Sequence, residues 1–261
     1  MLNLGLVWNL NKFNMSRQRR KDIEQQKARE DRKATRKSKK SHLMEEPSLV
    51  REPGTEQYKK RILVVSEGEN TEPTYFNKFR IANVIVHPVG VGKSTVKLVK
   101  EVPSILKNRF KGKKVDEVWV AFDKDNNNDF EQAIRLAQAS GYHVAYSNQA
   151  IEYWFLLHFN DHLGGPMDRA RYASVINAAI KPYAVYDTNS KIVTKEFFDV
   201  MMSRNPNTGQ TYIQEALDRA SKIYSNKEDK LSESVTTVFQ LVKSITGMET
   251  TQEKRKKAGK R

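Results

Sequence analysis

Two short runs, Arg61-Ile-Leu-Val-Val-Ser66 and Glu117-Val-Trp-Val-Ala-Phe122, are apolar at consecutive positions. Successive side chains of an extended strand point to opposite faces, so a run of this kind is buried on both sides. The architecture that buries both faces is a parallel sheet covered by helices. Two weaker β-branched or aromatic runs, Val84–Val89 and Tyr142–Tyr146, accompany them, and helical stretches at Thr74–Ile81, Thr95–Asn108 and Phe130–Ala139 lie between. With Ile151–Phe159 the order is βαβαβαβα, which predicts a three-layer α/β/α sandwich with a mainly parallel sheet and right-handed crossovers over residues 58–160. Past Gly164-Gly165-Pro166 the strand signals stop. Helices predicted at Arg169–Ile180, Thr194–Met202, Thr211–Tyr224 and Thr236–Ile245 make residues 161–250 a C-terminal helical part, either a subdomain or the layer that completes the sheet's cover.

The chain has 261 residues, enough for a sizeable core, and no cysteine. A disulfide framework, a thiolate–zinc site and a cysteine nucleophile are therefore excluded, and the composition fits a reducing compartment. No apolar run approaches the ~18 residues of a membrane span, so a soluble, cytoplasmic protein with no membrane partner is expected. Met1–Asn11 is partly apolar, but the positive charges follow it, the reverse of their order in a secretory signal. Met15 is as good a start as Met1.

The formal net charge is +15, and its placement matters more than its size. Residues 12–40 carry a net +9 and residues 251–261 a net +5, leaving the chain between 41 and 250 almost neutral. The stretch from Arg17 to Lys40 has no apolar stripe at helical spacing. Residues 1–57 are accordingly expected to be a basic arm, a solvated helix or disordered, and 251–261 a basic tail. Such an arm either solubilises the protein or tethers nucleic acid through phosphate charge, without sequence preference.

Ligands of a parallel α/β sheet bind beyond the carboxyl ends of its strands. The first strand ends in Ser66-Glu67-Gly68, the third in Asp123-Lys124-Asp125, and the fourth in Ser147-Asn148 with Glu152 one helical turn later. Asp123 and Asp125 are two apart, so in extended backbone they share a face that Glu67 can approach from another strand. Hard oxygen donors of this kind suit Mg²⁺ or Mn²⁺ and phosphoryl-transfer chemistry, although an acidic residue after a strand is also a common cap or turn former. Glu at the end of a first strand with Asp-x-Asp at the end of a later one is also the arrangement of the Toprim domain.

The segments SEGENTEPTYF (66–76), VAFDKDNNNDF (120–130) and SNQAIEYWFLLHF (147–159) occur in this order. Together they resemble the RloB family, whose members show an EG-x-x-TE-x-x-Y segment, a D-x-D strand end and an asparagine segment running into an E-x-W-(apolar)-L-H-F helix. The likeness is strong over residues 58–160, looser over the helical remainder, including SVTTVFQLV at 234–242, and covers neither basic end. It implies a Toprim-like core and a metal-dependent nuclease acting on DNA or RNA, tRNA included. It also implies an ATPase partner of AAA or ABC type and a place in restriction or phage-defence loci. Carried onto matching positions, the metal and catalytic roles fall on Glu67, Asp123 and Asp125. Glu67 would share the metal or move a proton. Glu152 would be a second-metal ligand or a hydrogen-bonding residue that orients its helix. Gln149 stands where proline is expected in the asparagine segment, which loosens the turn before Glu152.

Lys93, Lys124 and Asn148 are the residues expected to meet nucleic acid, although a lysine such as Lys124 is more often a solvated charge. Gly90-Val-Gly-Lys-Ser-Thr95 is not a P-loop, since His87 occupies the place of the first glycine and Pro88 removes a donor. Ser94 or Thr95 should cap the helix that follows, and Thr71 the helix after the first strand. Glu72 needs no role there beyond favouring the helix's positive end. His158, on an apolar helix, reads as a packing residue, and Tyr153, Trp154 and Phe155 as core.

Overall fold

The computed structural model describes residues 19, 21–22, 24–33, 58–124, 128–162, 165, 167–231 and 234–259. Four strands, β1 (Lys60–Ser66), β2 (Val84–Gly90), β3 (Glu117–Asp123) and β4 (His143–Ser147), form one parallel sheet in the order β2-β1-β3-β4. The two runs that are apolar at every position become the two central strands. Ile62 to Val65 on β1 and Val120 to Phe122 on β3 are buried on both faces. β2 lies at one edge and is mostly half-buried, and Pro88, opposite Val64, is tolerated there because an edge strand need not donate from every N–H. The β4 edge is closed by the chain returning at residues 236–237. Tyr146 N–H donates to Thr237 Oγ1 at 2.9 Å, and Thr237 N–H donates to the Tyr146 carbonyl at 2.8 Å.

Helices α1 (Thr71–Phe76), α2 (Thr95–Arg109) and α3 (Phe130–Ala139) connect the strands. β1 to β2 steps one way across the sheet and the later connections step the other way, so right-handed crossovers put α1 on one face and α2 and α3 on the other. α2 packs against α3, and Tyr75 of α1 meets Phe155 of the next helix, α4 (Glu152–Phe159), with ring centroids 5.1 Å apart. The result is the three-layer α/β sandwich expected from the strand runs.

The helix expected at 74–81 forms instead at 71–76. Pro73 falls in its first turn, where a backbone N–H has no helical acceptor and proline costs nothing. Thr71 is consequently not the cap but the first helical residue. Asn70 stands at the cap position without a side-chain cap bond, and Thr74 Oγ1 donates to the Asn70 carbonyl at 2.6 Å.

α4 has no polar face, and seven of its eight residues are buried, which makes it an interior helix. Around it stand α5 (Arg169–Ile180), α6 (Lys195–Met202), α7 (Tyr212–Asn226) and α8 (Val238–Thr246), the first three capped by the side chains of Asp168, Thr194 and Thr211. The basic C-terminal segment is not simply a tail, because Thr251–Ala258 forms a further helix, α9, behind a capping box of Thr250 and Glu253. Asp218 of α7 accepts from the Thr251 N–H at 2.7 Å and from its hydroxyl at 2.6 Å. The Thr-x-x-Glu spacing announces this start in the sequence, beneath the run of cations.

Residues 57–261 form one compact unit and 1–56 another, in which residues 24–33 are helical and exposed. Among the described residues no helix is long and apolar enough to cross a membrane.

Candidate active site: an acidic cavity between β1 and β3

Neighbouring strands β1 and β3 send their chains to opposite faces of the sheet, which opens a crevice beyond their carboxyl ends. Glu67 follows β1, and its backbone N–H donates to the Ala121 carbonyl at 2.9 Å, holding it beside β3. Asp123 is the last residue of β3, and Glu152 begins α4 just after β4. A cavity of about 290 Å³ is lined by these three carboxylates and by Glu72 of α1, with Arg169 and Lys191 on its wall. Two glycines allow the walls to close. A Cβ on Gly68 would lie 2.2 Å from Glu72 Oε2, and one on Gly90 would lie 2.6 Å from the Glu69 Cα.

Glu72 is 5% exposed. Its carboxyl is pushed up to about 7, chiefly by burial, with the charges of Glu152 and Glu67 adding and hydrogen bonds from the Glu72 and Gly68 backbone opposing. Glu152 Oε1 accepts from the Tyr186 hydroxyl at 2.8 Å, and burial first and then the Glu152 charge push that phenol's pKa up. Near neutral pH the cavity thus holds more carboxylates than it can readily keep ionised. The oxygen-only donor set and the excess negative charge fit a hard divalent cation. Among the described residues, no three His, Asp or Glu side chains are already drawn together as a ligand cluster.

The cavity brings together Glu67, Asp123 and Glu152 of the residues expected from sequence. Asp125 lies outside the described residues. The three residues expected to meet nucleic acid do not line the cavity. Lys93 pairs with Glu101. Lys124 Nζ donates to the Leu231 carbonyl at 2.6 Å, and the buried Asn148 donates to the same carbonyl at 3.1 Å, so both fasten the segment that closes the β4 edge. The loop after β2 is no phosphate cradle, since the N–H groups of Val91 and Gly92 donate to the carbonyls of Ser66 and Glu67 at 3.1 and 3.0 Å. Ser94 occupies the cap position of α2 without a side-chain bond, and the Thr95 hydroxyl instead meets Asp129. His158 is fully buried, with Nδ1 3.0 Å from the Trp154 carbonyl, and burial pushes its pKa down to about 3, as befits a packing residue. Gln149 sits at φ +70°, a backbone conformation that proline cannot adopt.

Glu72, Tyr186, Arg169 and Lys191 are additions that tertiary structure makes. Glu72 had a local signal, its place in the Glu67–Phe76 segment, but a first-turn acid is unremarkable until its burial is known. Tyr186 lies in an irregular loop and carries no local signal at all.

An α/β protein with a carboxylate-lined cavity at the reversal point of its sheet is the class that these features define. The family model of the RloB-like proteins matches residues 62–245, from β1 into α8, and the chain belongs to that family. No curated protein and no solved structure matches it.

Proposed function

We propose that this chain is a metal-dependent phosphodiesterase acting on nucleic acid through a Toprim-like site. The observation that carries the reading is the convergence of Glu67, Asp123 and Glu152, from three strand ends, with Glu72 in one cavity. Glu67, Asp123 and Glu152 would hold Mg²⁺ or Mn²⁺, joined by Asp125. When bound, the ion supplies positive charge to phosphate oxygens and to the leaving oxygen. The protein's own groups divide the remaining work. Glu72, raised to about 7 by burial and by its neighbours' charge while the cavity holds no ion, could give a proton to, or take one from, a reacting oxygen. Tyr186 orients Glu152. Arg169 and Lys191 offer the cavity's positive charge to phosphate. With this reading come an ATPase partner and a role in defence against phage, which rest on family resemblance.

The test is to incubate the purified chain with labelled single- and double-stranded DNA, total RNA and tRNA, in Mg²⁺, Mn²⁺ or EDTA, beside Asp123→Asn. Cleavage that needs metal and vanishes in the variant is the expected result. Cleavage equal in the variant, or persisting in EDTA, would overturn it. A second reading is a Toprim-like binding module without catalysis, in which Arg169 and Lys191 on the cavity wall hold phosphate but no cleavage follows. In that case neither protein cleaves, even when a proposed ATPase partner is added, and nucleic-acid binding is unaffected by Asp123→Asn.

A further inference from the structure

We infer that the loop of residues 181–193 is a nucleobase platform, on which Tyr183 stacks an unpaired base of a single-stranded polynucleotide while Lys191 holds a phosphate at the acidic cavity. The inference rests on the phosphodiesterase reading for what the neighbouring cavity does, but not for the stacking itself. Among the described residues, the large hydrophobic side chains left exposed are Tyr58, Tyr183 (76%), Val185 (61%) and Ile192 (45%), three of them on this loop. Their display is built in. Ala184 and Tyr186 are buried while Tyr183 and Val185 face outward, the alternation of an extended segment with one anchored side and one presented side.

The anchors are specific. Asn177 clamps Tyr186 from both directions, accepting from its N–H at 2.7 Å and donating to its carbonyl at 2.9 Å. Val193 N–H donates to Thr74 Oγ1 at 3.0 Å, which ties the far end of the loop to α1. The loop also reaches the cavity twice, through the Tyr186 hydroxyl on Glu152 and through Lys191 in the wall. An anchored loop that carries both an exposed aromatic and a cation at the cavity offers the pairing that single-stranded nucleic-acid sites use, because every base has a π-face and every link a negative charge.

Charge selects a polyanion over an apolar protein surface as the occupant. Lys181 and Lys191 are exposed on either side of Tyr183 and Val185. The loop's one acid, Asp187, is exposed but occupied by its own bend, accepting from the N–H groups of Asn189 at 2.9 Å and Ser190 at 3.3 Å, and the two lysines outnumber it. A base already stacked in a duplex has no face to offer Tyr183, so the substrate class is a single strand or a loop, of RNA or DNA.

Binding of short labelled single-stranded RNA and DNA and of the matching duplexes is measured by fluorescence anisotropy with the full chain in EDTA, where metal-dependent turnover is silent. Tyr183→Ala is expected to weaken single-strand binding by about tenfold, the order that one stacked base contributes. Tyr183→Phe should stay near wild type, and duplex binding should be the same in all three proteins. Tyr183 is exposed, so the variants should melt with the wild type. Equal single-strand binding by wild type and Tyr183→Ala would overturn the inference and leave the patch to a protein partner. So would equal losses on single strands and duplexes, or no binding by the wild type. These outcomes are independent of cleavage, so the platform and the phosphodiesterase reading can fail separately.

Discussion

Helices α4 and α9 have the same length, eight residues, and opposite surroundings. α4 buries seven of them and opens with Glu152 on the acidic cavity. α9 buries none, and its last turn carries Arg255, Lys256 and Lys257. The first is held by packing, including a buried hydrogen bond from Trp154 Nε1 to the Tyr75 hydroxyl at 2.8 Å. The second is held by a capping box and polar contacts to Asp218 and Gln214. The contrast repeats at the scale of the chain, with carboxylates gathered inside a nearly neutral core and cations concentrated in the terminal segments. Chemistry and attraction are therefore separable, and substitutions should fall into two kinds.

The largest effect is expected inside. Asp123→Asn should lower cleavage by about 100-fold or more, the order lost when a group that fixes charge in a reacting site is removed, with the melting curve unchanged. If truncating the basic arm costs more turnover than this at saturating substrate, the separation fails.

Glu72→Gln comes next and is read as stability. The carboxyl's value rises from 4.5 to about 7 on folding, so between these values the folded chain binds more protons than the unfolded one, and stability falls as pH rises through that window. The variant should exceed the wild type by about 3 kcal/mol in urea unfolding near pH 8, with the difference closing below about pH 4.5. His158 shifts the opposite way, from 6.5 to about 3, and destabilises the fold as pH drops below its ordinary value, but equally in both proteins, so the difference isolates Glu72. A constant difference across pH would mean that Glu72 is ionised throughout.

At the periphery, removing residues 1–50 should weaken binding to any polyanion by about tenfold at moderate salt and flatten its salt dependence, since it deletes a net charge of +7. Cleavage at saturating substrate should survive. Thr250→Ala should have the smallest effect, about 1 kcal/mol, the usual cost of losing a cap. It should appear as faster amide exchange in α9, with the main unfolding transition nearly unmoved. A large shift in that transition would show α9 to be part of the core.

Much of the fold was legible because burial on both faces leaves an unmistakable mark on a strand. The carboxylates Glu67 and Asp123 were legible for a related reason, since a polar residue that breaks such a run stands at a strand end, where parallel sheets bind ligands. What the sequence left unseen has another cause. Lys124 and Asn148 carry no local sign of the bonds that both donate to Leu231, more than 80 residues away. Glu72 looks like an ordinary first-turn acid, and its altered character comes chiefly from its burial, with the charges of Glu152 and Glu67 across the cavity adding to it.

The amino-acid order by itself determined which segments are strands, that the middle of the chain is almost neutral while its basic segments lie near the ends, and which acids stand at strand ends. Those properties depend on local periodicity and composition. The tertiary structure decided which acids share a cavity, which cations are used internally, and that an irregular loop supplies both Tyr186 and Lys191 to the site. These depend on the strand order β2-β1-β3-β4 and on burial, which join residues far apart in the chain. Desolvation and charge repulsion act between groups only once the fold has brought them within reach.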